Sequence, residues 1–460
     1  MQIKPIAAPY KADPQITSLG AKIGDPVAAA QFPEAVLRWR NDRWAATVGL
    51  SDLPDSDWIG HFARFAPLPD NLPQPLALRY HGHQFRVYNP QIGDGRGFLF
   101  AQMRDHLGRL VDLGTKGSGT TPYSREADGR LTLKGAVREL LATEMLEALG
   151  VDTSKTFSIV ETGEELWRGD EPSPTRSAVL VRLSHSHIRI GSFQRIAFER
   201  GEDMMRALTE YCLRQFYNAE PQENPAAQLL ELAALRIADL AASYMVAGFV
   251  HGVLNTDNIN ITGESFDYGP WRFTPHWDPN FTAAYFDEHG LYAFGRQTET
   301  MHWNLGQLAV ALRLISDAPP LIAALEKFPS LYQAAIVKRF LWRLGIKSQS
   351  EPSDRQLVEA AECAMGSAKI EIDTFFHRHR GGSNARQKSS NEQYSSFLTL
   401  LEHYQGEAAT GAQKKPKKPC SMHIDEVEQI WDAIAQGDDW QPLMTKIAQI
   451  RDFGKLLTGN

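Results

Sequence analysis

Apolar positions follow two different rhythms along this chain. Between about residues 75 and 200 they come in short runs separated by glycine-rich or charged turns, which predicts strands over Gly97–Ala101, Leu110–Lys116 and Ser177–Leu183. Thr156–Glu161 and Glu165–Arg168 flank Thr162-Gly163-Glu164 and predict a hairpin. One helix interrupts this region, from about Leu131 to Leu149, with apolar residues at every fourth position from Leu133 and a stop at Gly150. After Gly201 long helical patterns take over: Asp203–Tyr217, Pro225–Ala247, Met301–Ser316, Leu331–Leu344 and Arg355–Phe376. Residues 405–420, with the run Lys414-Lys415-Pro416-Lys417-Lys418, read as a linker, and Ile424–Leu457 as a helical extension. A mixed α+β part followed by a mainly helical part predicts two lobes with a cleft between them. The expected units are 1–195, 196–404 and 405–460.

Composition narrows the class without changing this picture. At 460 residues the chain exceeds what a single core normally fills, and 43% hydrophobic with 22% charged residues is ordinary for a globular protein. A formal charge of −7 gives no global reason to expect a nucleic-acid partner. Three scattered cysteines, Cys212, Cys363 and Cys420, cannot form a disulfide framework, and the two within helical patterns read as core residues. The N-terminal residues lack an apolar signal segment, and no stretch is long and apolar enough to span a bilayer. The expectation is a cytoplasmic protein without a membrane partner.

Candidate chemistry concentrates in His251-Gly252-Val253-Leu254-Asn255-Thr256-Asp257-Asn258, followed by Asp267-Tyr268-Gly269. Kinase-like sites take an Asn from a catalytic loop and an Asp from the next segment as oxygen ligands for phosphate-bound cations, and Asn258 and Asp267 have that spacing. The same residue types also favour ordinary turns. The general base of a kinase loop lies five residues before the Asn, and here that position is Val253, which cannot accept a proton. Asp257 is the carboxylate that can replace it. Upstream, Lys116 ends a strand beside Gly114, which leaves room for a ligand, and Glu139 on the following helix can hold the lysine. The pair repeats the lysine-strand and glutamate-helix arrangement of protein kinases, so the expected fold is α+β and bilobal, protein-kinase-like.

Gly93, Gly95 and Arg96 precede a strand and offer backbone N–H groups and a guanidinium to phosphate. A second glycine-rich stretch, Lys116 to Arg125, leads to Asp128-Gly129 and can close over a nucleotide. Arg182 and Arg189 flank a polar turn and can converge on one phosphate. The pairs His81/His83 and His185/His187 share strand faces, but no matching third metal ligand accompanies them.

In order along the chain, Tyr80-His81-Gly82-His83-Gln84-Phe85, Pro90 to Arg96, Lys116 to Arg125, Asp128-Gly129-Arg130, Arg138-Glu139, His251 to Asn258 and Asp267-Tyr268-Gly269-Pro270 resemble the selenoprotein O family, YdiU in bacteria, of protein-adenylylating pseudokinases. The resemblance implies an ATP bound in inverted orientation, with AMP transferred to Ser, Thr or Tyr hydroxyls of proteins. It implies that Gly93, Gly95, Arg96, Lys116, Asp128, Gly129, Arg182, Arg189 and Asp267 bind ATP and that Asn258 and Asp267 hold Mg²⁺ or Mn²⁺. Asp257 would accept the proton and Glu139 would pair with Lys116. Uridylylation with UTP and Mn²⁺, phosphotransfer, or a silent nucleotide-binding scaffold are the alternatives. The chain departs from the family pattern at Arg86, where a glycine is usual, across Ala283 to Phe286, at Leu291, and at its end, which lacks a redox-active Cys or selenocysteine.

Overall fold

The computed structural model describes residues 5–169, 171–382, 390–407 and 417–459. The apolar runs of the first half pair into one antiparallel sheet. In spatial order its strands are Gly24–Pro26, Leu76–Leu78, Gly97–Arg104, Leu110–Lys116, Thr175–Ser184, Lys155–Leu166 and Val36–Arg40, with Leu131–Thr132 added beside Thr175–Ser184. Alternation along the strands sorts side chains onto two faces. Phe98, Phe100, Val111, Leu113, Val179 and Val181 meet a layer built from Trp44, Trp58 and Phe62. Leu99, Leu110, Ala178 and Leu180 face the other way, onto the helix Leu133–Ala148. Because Arg182 pairs with Gly114 and Leu180 with Lys116, the lysine and Arg182 share this helix-facing side.

The aromatic layer comes from the first 65 residues, whose short elements carry no clear periodicity. Trp58 is fully buried, stacked on Phe157 at 4.9 Å between ring centroids and edge-on to Phe62 at 4.7 Å. Trp58→Ala is expected to cost about 3 to 5 kcal/mol, read as a shift of the urea unfolding midpoint at unchanged slope.

Two predicted elements are corrected. Residues 155–166 form one strand, not a hairpin, and its partner is Thr175–Ser184. The turn-forming residues Thr162-Gly163-Glu164 are instead absorbed as an irregularity in the ladder, between the pairs Ala178/Glu161 and Arg176/Glu165. Gly163 has φ +74, and a Cβ there would lie 2.8 Å from the Glu34 side chain. The pattern over 355–376 splits into Glu351–Ala368 and Ile372–His379, because Lys369 adopts a left-handed conformation at φ 47. The helical extension expected over Ile424–Leu457 is present as two helices, Ile424–Gly437 and Gln441–Thr458, with Asp438 left-handed between them.

Three of the remaining long helices lie within three residues of where their periodicity put them, at Glu202–Tyr217, Pro225–Ala247 and Phe328–Leu344, whereas the one predicted over Met301–Ser316 begins and ends four residues earlier, at Gln297–Leu312. Asn224 caps the second by accepting from Ala227 N at 3.1 Å, with Pro225 in the first turn and Gly248 ending it. Ile190–Phe198 and Ala318–Glu326 are further helices that periodicity missed. Cys212 is buried as expected, whereas Cys363 is exposed, off the stripe of Leu357, Val358, Ala361, Ala364 and Met365 that its helix buries. The expected linker falls largely on residues 408–416, outside the described residues. The two C-terminal helices brace the back of Leu133–Ala148: Arg451 bonds Glu144 at 2.7 Å, and Glu428 takes Lys134 at 2.6 Å. Among the described residues no helix is long and apolar enough to cross a membrane.

Candidate active site

Lys116 emerges from the end of its strand into a buried ion cluster. Its Nζ lies 2.9 Å from Glu139 Oε2 and 2.9 Å from Asp267 Oδ1. Arg182, from the adjacent strand, lies 3.4 Å from Glu139 Oε1 and 3.5 Å from Asp267 Oδ1. Arg189 reaches Asp267 Oδ2 at 3.6 Å and donates to the Asp257 carbonyl at 3.0 Å, with its guanidinium 4.2 Å above the Tyr80 ring. Burial would raise the Asp267 pKa, but Lys116, Arg182 and Arg189 outweigh it and hold the carboxyl well below its ordinary range. One carboxylate thus gathers three cations that repel one another.

Asp257 stands in a different environment. Burial pushes its carboxyl up to about 6, opposed by Arg189 and assisted by Asp267. Its Oδ1 is buried without a hydrogen-bond partner and lies against Gly82, where a Cβ would come within 2.7 Å of it. Gly82 opens a small hairpin, Gly82–Gln84 with Val87–Asn89, that docks onto the loop carrying Asp257. His83 N donates to Thr256 Oγ1 at 2.7 Å, Phe85 N to Asn255 Oδ1 at 3.1 Å, and Gln84 bonds the Asp257 carboxylate. Thr256 in turn donates to Gln194 Oε1 at 2.6 Å. The loop carrying Asp257 is therefore held from outside its own segment.

These groups border a cleft of about 670 Å³. It is lined by Gly93, Gly95, Arg96, Lys116, Asp128, Gly129, Arg182, Asp257 and Asp267 among the residues singled out from the sequence. From the ion cluster Lys116, Arg182 and Asp267 reach the lining, which also carries Arg125, Glu126, Arg130 and Arg168. Cations on a concave, partly dry surface raise the local concentration of an anionic ligand.

A sequence model described as protein adenylyltransferase SelO matches residues 7–451. The chain belongs to the SelO family. It is 41% identical to the protein nucleotidyltransferase YdiU of Synechococcus elongatus, covering 98% of this chain and 96% of that one. The protein of the same description from Gloeobacter violaceus is 43% identical over 95% of this chain and 94% of its own length, and that of Trichodesmium erythraeum is 41% identical over 96% and 98%. Through the SelO family the chain is a nucleotidyltransferase.

Several SelO positions do their local work differently from what the sequence suggests. Gly114 does not leave space for a ligand: a Cβ there would lie 2.0 Å from His187 Nε2, so the histidine fills the gap. His187 N and Nδ1 both bond Asp112 Oδ2, at 2.8 and 3.1 Å, which makes it a packing residue. Gly93 makes room for the Tyr123 ring, 2.5 Å from where its Cβ would be, and so lets the second glycine-rich loop fold over the first. Gly129 at φ +69 packs against Gly119 in the same way. Asp128 is taken by Arg168 at 2.8 Å, whose hydrogen bond overcomes the upward effect of burial and lowers the carboxyl's pKa.

Arg189 and Glu139 lie beneath the cleft rather than on its lining, 1% exposed each. Asn258 is half-buried in the turn after Asp257, its amide nitrogen donating to Val253 O at 3.0 Å, and it does not line the cleft. Residues not singled out include Asp94, which bonds Arg189 at 3.5 Å, and Tyr80 under the same arginine. Asp94 sits between Gly93 and Gly95 in the first glycine-rich stretch. Its buried role had no local signal, since an Asp between glycines also reads as a turn residue.

The oxygen donors suit a hard divalent cation carried by a nucleotide. Among the described residues no three His, Cys, Asp or Glu side chains come together as a complete cage. Mg²⁺ is ordinarily held by one or two carboxylates plus phosphates and waters, so an incomplete protein donor set fits it. Asp267 and the amide oxygen of Asn258, whose nitrogen is already committed, are the groups that would hold it. The buried, unpartnered Nε atoms of Arg182 and Arg189 and Oδ1 of Asp257 mark polar capacity that these side chains leave unused.

Proposed function

We infer that the chain adenylylates proteins, transferring AMP from ATP to Ser, Thr or Tyr hydroxyls with the nucleotide inverted relative to a protein kinase. The observation carrying this reading is the separation of roles on the cleft floor: three buried cations gather at Asp267, while Asp257 stands apart with an unpartnered oxygen and position 253 has no carboxylate. In this reading the sheet part and helical part act as the two lobes of a kinase-like fold. The terminal phosphates lie toward Lys116, Arg182 and Arg189, with Gly93, Gly95, Arg96, Asp128 and Gly129 around the rest of the nucleotide. The α-phosphorus then faces Asp257.

Asp257 takes the proton as the acceptor oxygen attacks the α-phosphorus; the new O–P bond forms as the bond to the β-phosphate oxygen breaks, and pyrophosphate leaves. Lys116, kept in place by Glu139, and the two arginines bind the charge of the departing group. Mg²⁺ or Mn²⁺ held by Asn258 and Asp267 supplies further neutralisation of phosphate charge. Incubation with ATP labelled separately at the α and γ positions tests the orientation. Covalent α label on protein, with γ label released as pyrophosphate, is expected; covalent γ label alone would make the chain a phosphotransferase. The same assay with UTP and Mn²⁺ decides the donor, since greater UMP than AMP incorporation would replace ATP.

A further inference from the structure

Beside the catalytic loop lies a second, open cavity of about 410 Å³, lined by Phe85, Arg86, Phe286, Asp287, Glu288 and other residues of the 285–291 loop. Two aromatic side chains of its lining are uncovered, Phe286 at 45% and Phe85 at 37% exposed, and Tyr285 next to Phe286 is 84% exposed. They form a chain of ring contacts, Tyr285 to Phe286 at 5.1 Å, Phe286 to Phe85 at 5.9 Å and Phe85 to the buried Tyr292 at 4.9 Å. Contiguous exposed aromatics are costly in water and mark surfaces that another molecule covers.

The patch is tied directly to the reactive loop. Phe85 N donates to Asn255 Oδ1 and to Tyr292 OH, each at 3.1 Å, and Tyr292 OH donates to the same Asn255 oxygen at 2.6 Å. Gln84, one residue back, lines the nucleotide cleft and bonds Asp257. The turn presenting Phe85 is itself strained, since Phe85 and Arg86 are both left-handed, at φ 50 and 64, where two-residue turns favour Asn-Gly. Arg86 is held there 3.1 Å from Glu299 and 5.4 Å from the Trp303 ring, which fixes the tip against the helix Gln297–Leu312. Side chains rather than glycines at this tip keep an exposed phenylalanine aimed beside the site.

We propose that this groove docks the acceptor polypeptide through an apolar, preferably aromatic, side chain close in sequence to the modified hydroxyl. This rests on the reading of the chain as a protein-modifying enzyme. The occupant follows from continuity: an acceptor hydroxyl must reach Asp257, and the hairpin runs from Gly82, against Asp257, to Phe85, a path of about 10 Å at strand spacing. That distance corresponds to roughly three residues of extended peptide. The lining of the nucleotide cleft over residues 125–130 is charged, with Arg125, Glu126, Asp128 and Arg130, so the apolar side of an acceptor finds its surface here instead.

The test uses the full-length chain and two fluorescein-labelled synthetic dodecapeptides with a central serine, one with phenylalanines three residues to either side and one with glycines there. Anisotropy titrations are run on the unaltered protein and on Tyr285→Ser/Phe286→Ser, whose side chains are exposed, with melting curves as the control for folding. The phenylalanine peptide is expected to bind at least about fivefold tighter than the glycine peptide, and the double variant to lose that preference with its ATP affinity unchanged. Equal binding of the two peptides, or an undiminished preference in the variant, overturns the proposal. A preference lost in the variant without any AMP transfer would support the docking surface while refuting nucleotidyl transfer to such a hydroxyl.

Discussion

Asp267→Asn is expected to reduce AMP transfer by about a thousandfold or more, close to 4 kcal/mol of transition-state stabilisation, and to remove the metal-dependent part of ATP binding. Asp267 touches Lys116, Arg182 and Arg189 together, and its carboxyl is held ionised by them. No other described carboxylate is recorded against all three. Asparagine keeps the shape and one oxygen but not the charge a divalent cation requires. It also favours the left-handed backbone at this position, φ 64, more than alanine does. Asp267→Ala should therefore lose the same activity and additionally melt earlier. Binding of ATP in the presence of a chelator should be retained or strengthened in the Asn variant, because a negative charge leaves the site. Calorimetric titration with and without Mg²⁺ checks this, and a persistent gain from Mg²⁺ in the variant would remove Asp267 from the metal role.

The sequence was a good guide to this cluster where the signal is local. The strand ending at Lys116 and the helix carrying Glu139 were both legible, and the expected pair forms at 2.9 Å between buried side chains. What local pattern cannot report is who fills the space beside a small residue. Gly114 looked open for a ligand, but His187, distant in sequence, occupies it. Gly93 serves Tyr123 from the next loop, and Gly163 serves an irregular strand rather than a turn. Each outcome depends on a long-range partner, which a one-dimensional rhythm does not carry.

The same limit explains the aromatic layer over the outer sheet face and the hairpin at Gly82. Trp44, Trp58 and Phe62 come from helices of four and eight residues, too short for periodicity to register, yet they complete a core with strands up to about a hundred residues away or more. The hairpin strands are three residues each, and their importance lies in the bonds from His83 and Phe85 to Thr256 and Asn255. The motif Tyr80 to Phe85 was visible as a resemblance before its purpose was. Its residues steady the loop that carries the carboxylate rather than contributing a ligand set of histidines: His81 contacts Tyr88 OH at 2.8 Å and His83 contacts Gln194 Nε2 at 2.7 Å.

Asp257→Asn should leave ATP affinity within about twofold while lowering the turnover of AMP transfer by 10²- to 10⁴-fold, the range spanned by positioned general bases. The separation follows from the geometry. Arg189 is held by the backbone carbonyl of Asp257, which the substitution keeps, whereas the side chain points against Gly82 with Oδ1 unpartnered. The cation cluster at Asp267 is thus left intact. Equal loss of ATP binding in Asp257→Asn and Asp267→Asn would contradict the division of labour between the two carboxylates. Adding Val253→Asp to Asp257→Asn supplies a carboxylate at the kinase base position, five residues before Asn258. With the α-phosphorus facing Asp257, that carboxylate has no hydroxyl in line with the γ-phosphate to activate, so γ label should stay off protein. Incorporation of γ label by the double variant would instead place the terminal phosphate outward, as in a kinase, and would leave Lys116, Arg182 and Arg189 without the triphosphate end that an inverted nucleotide gives them.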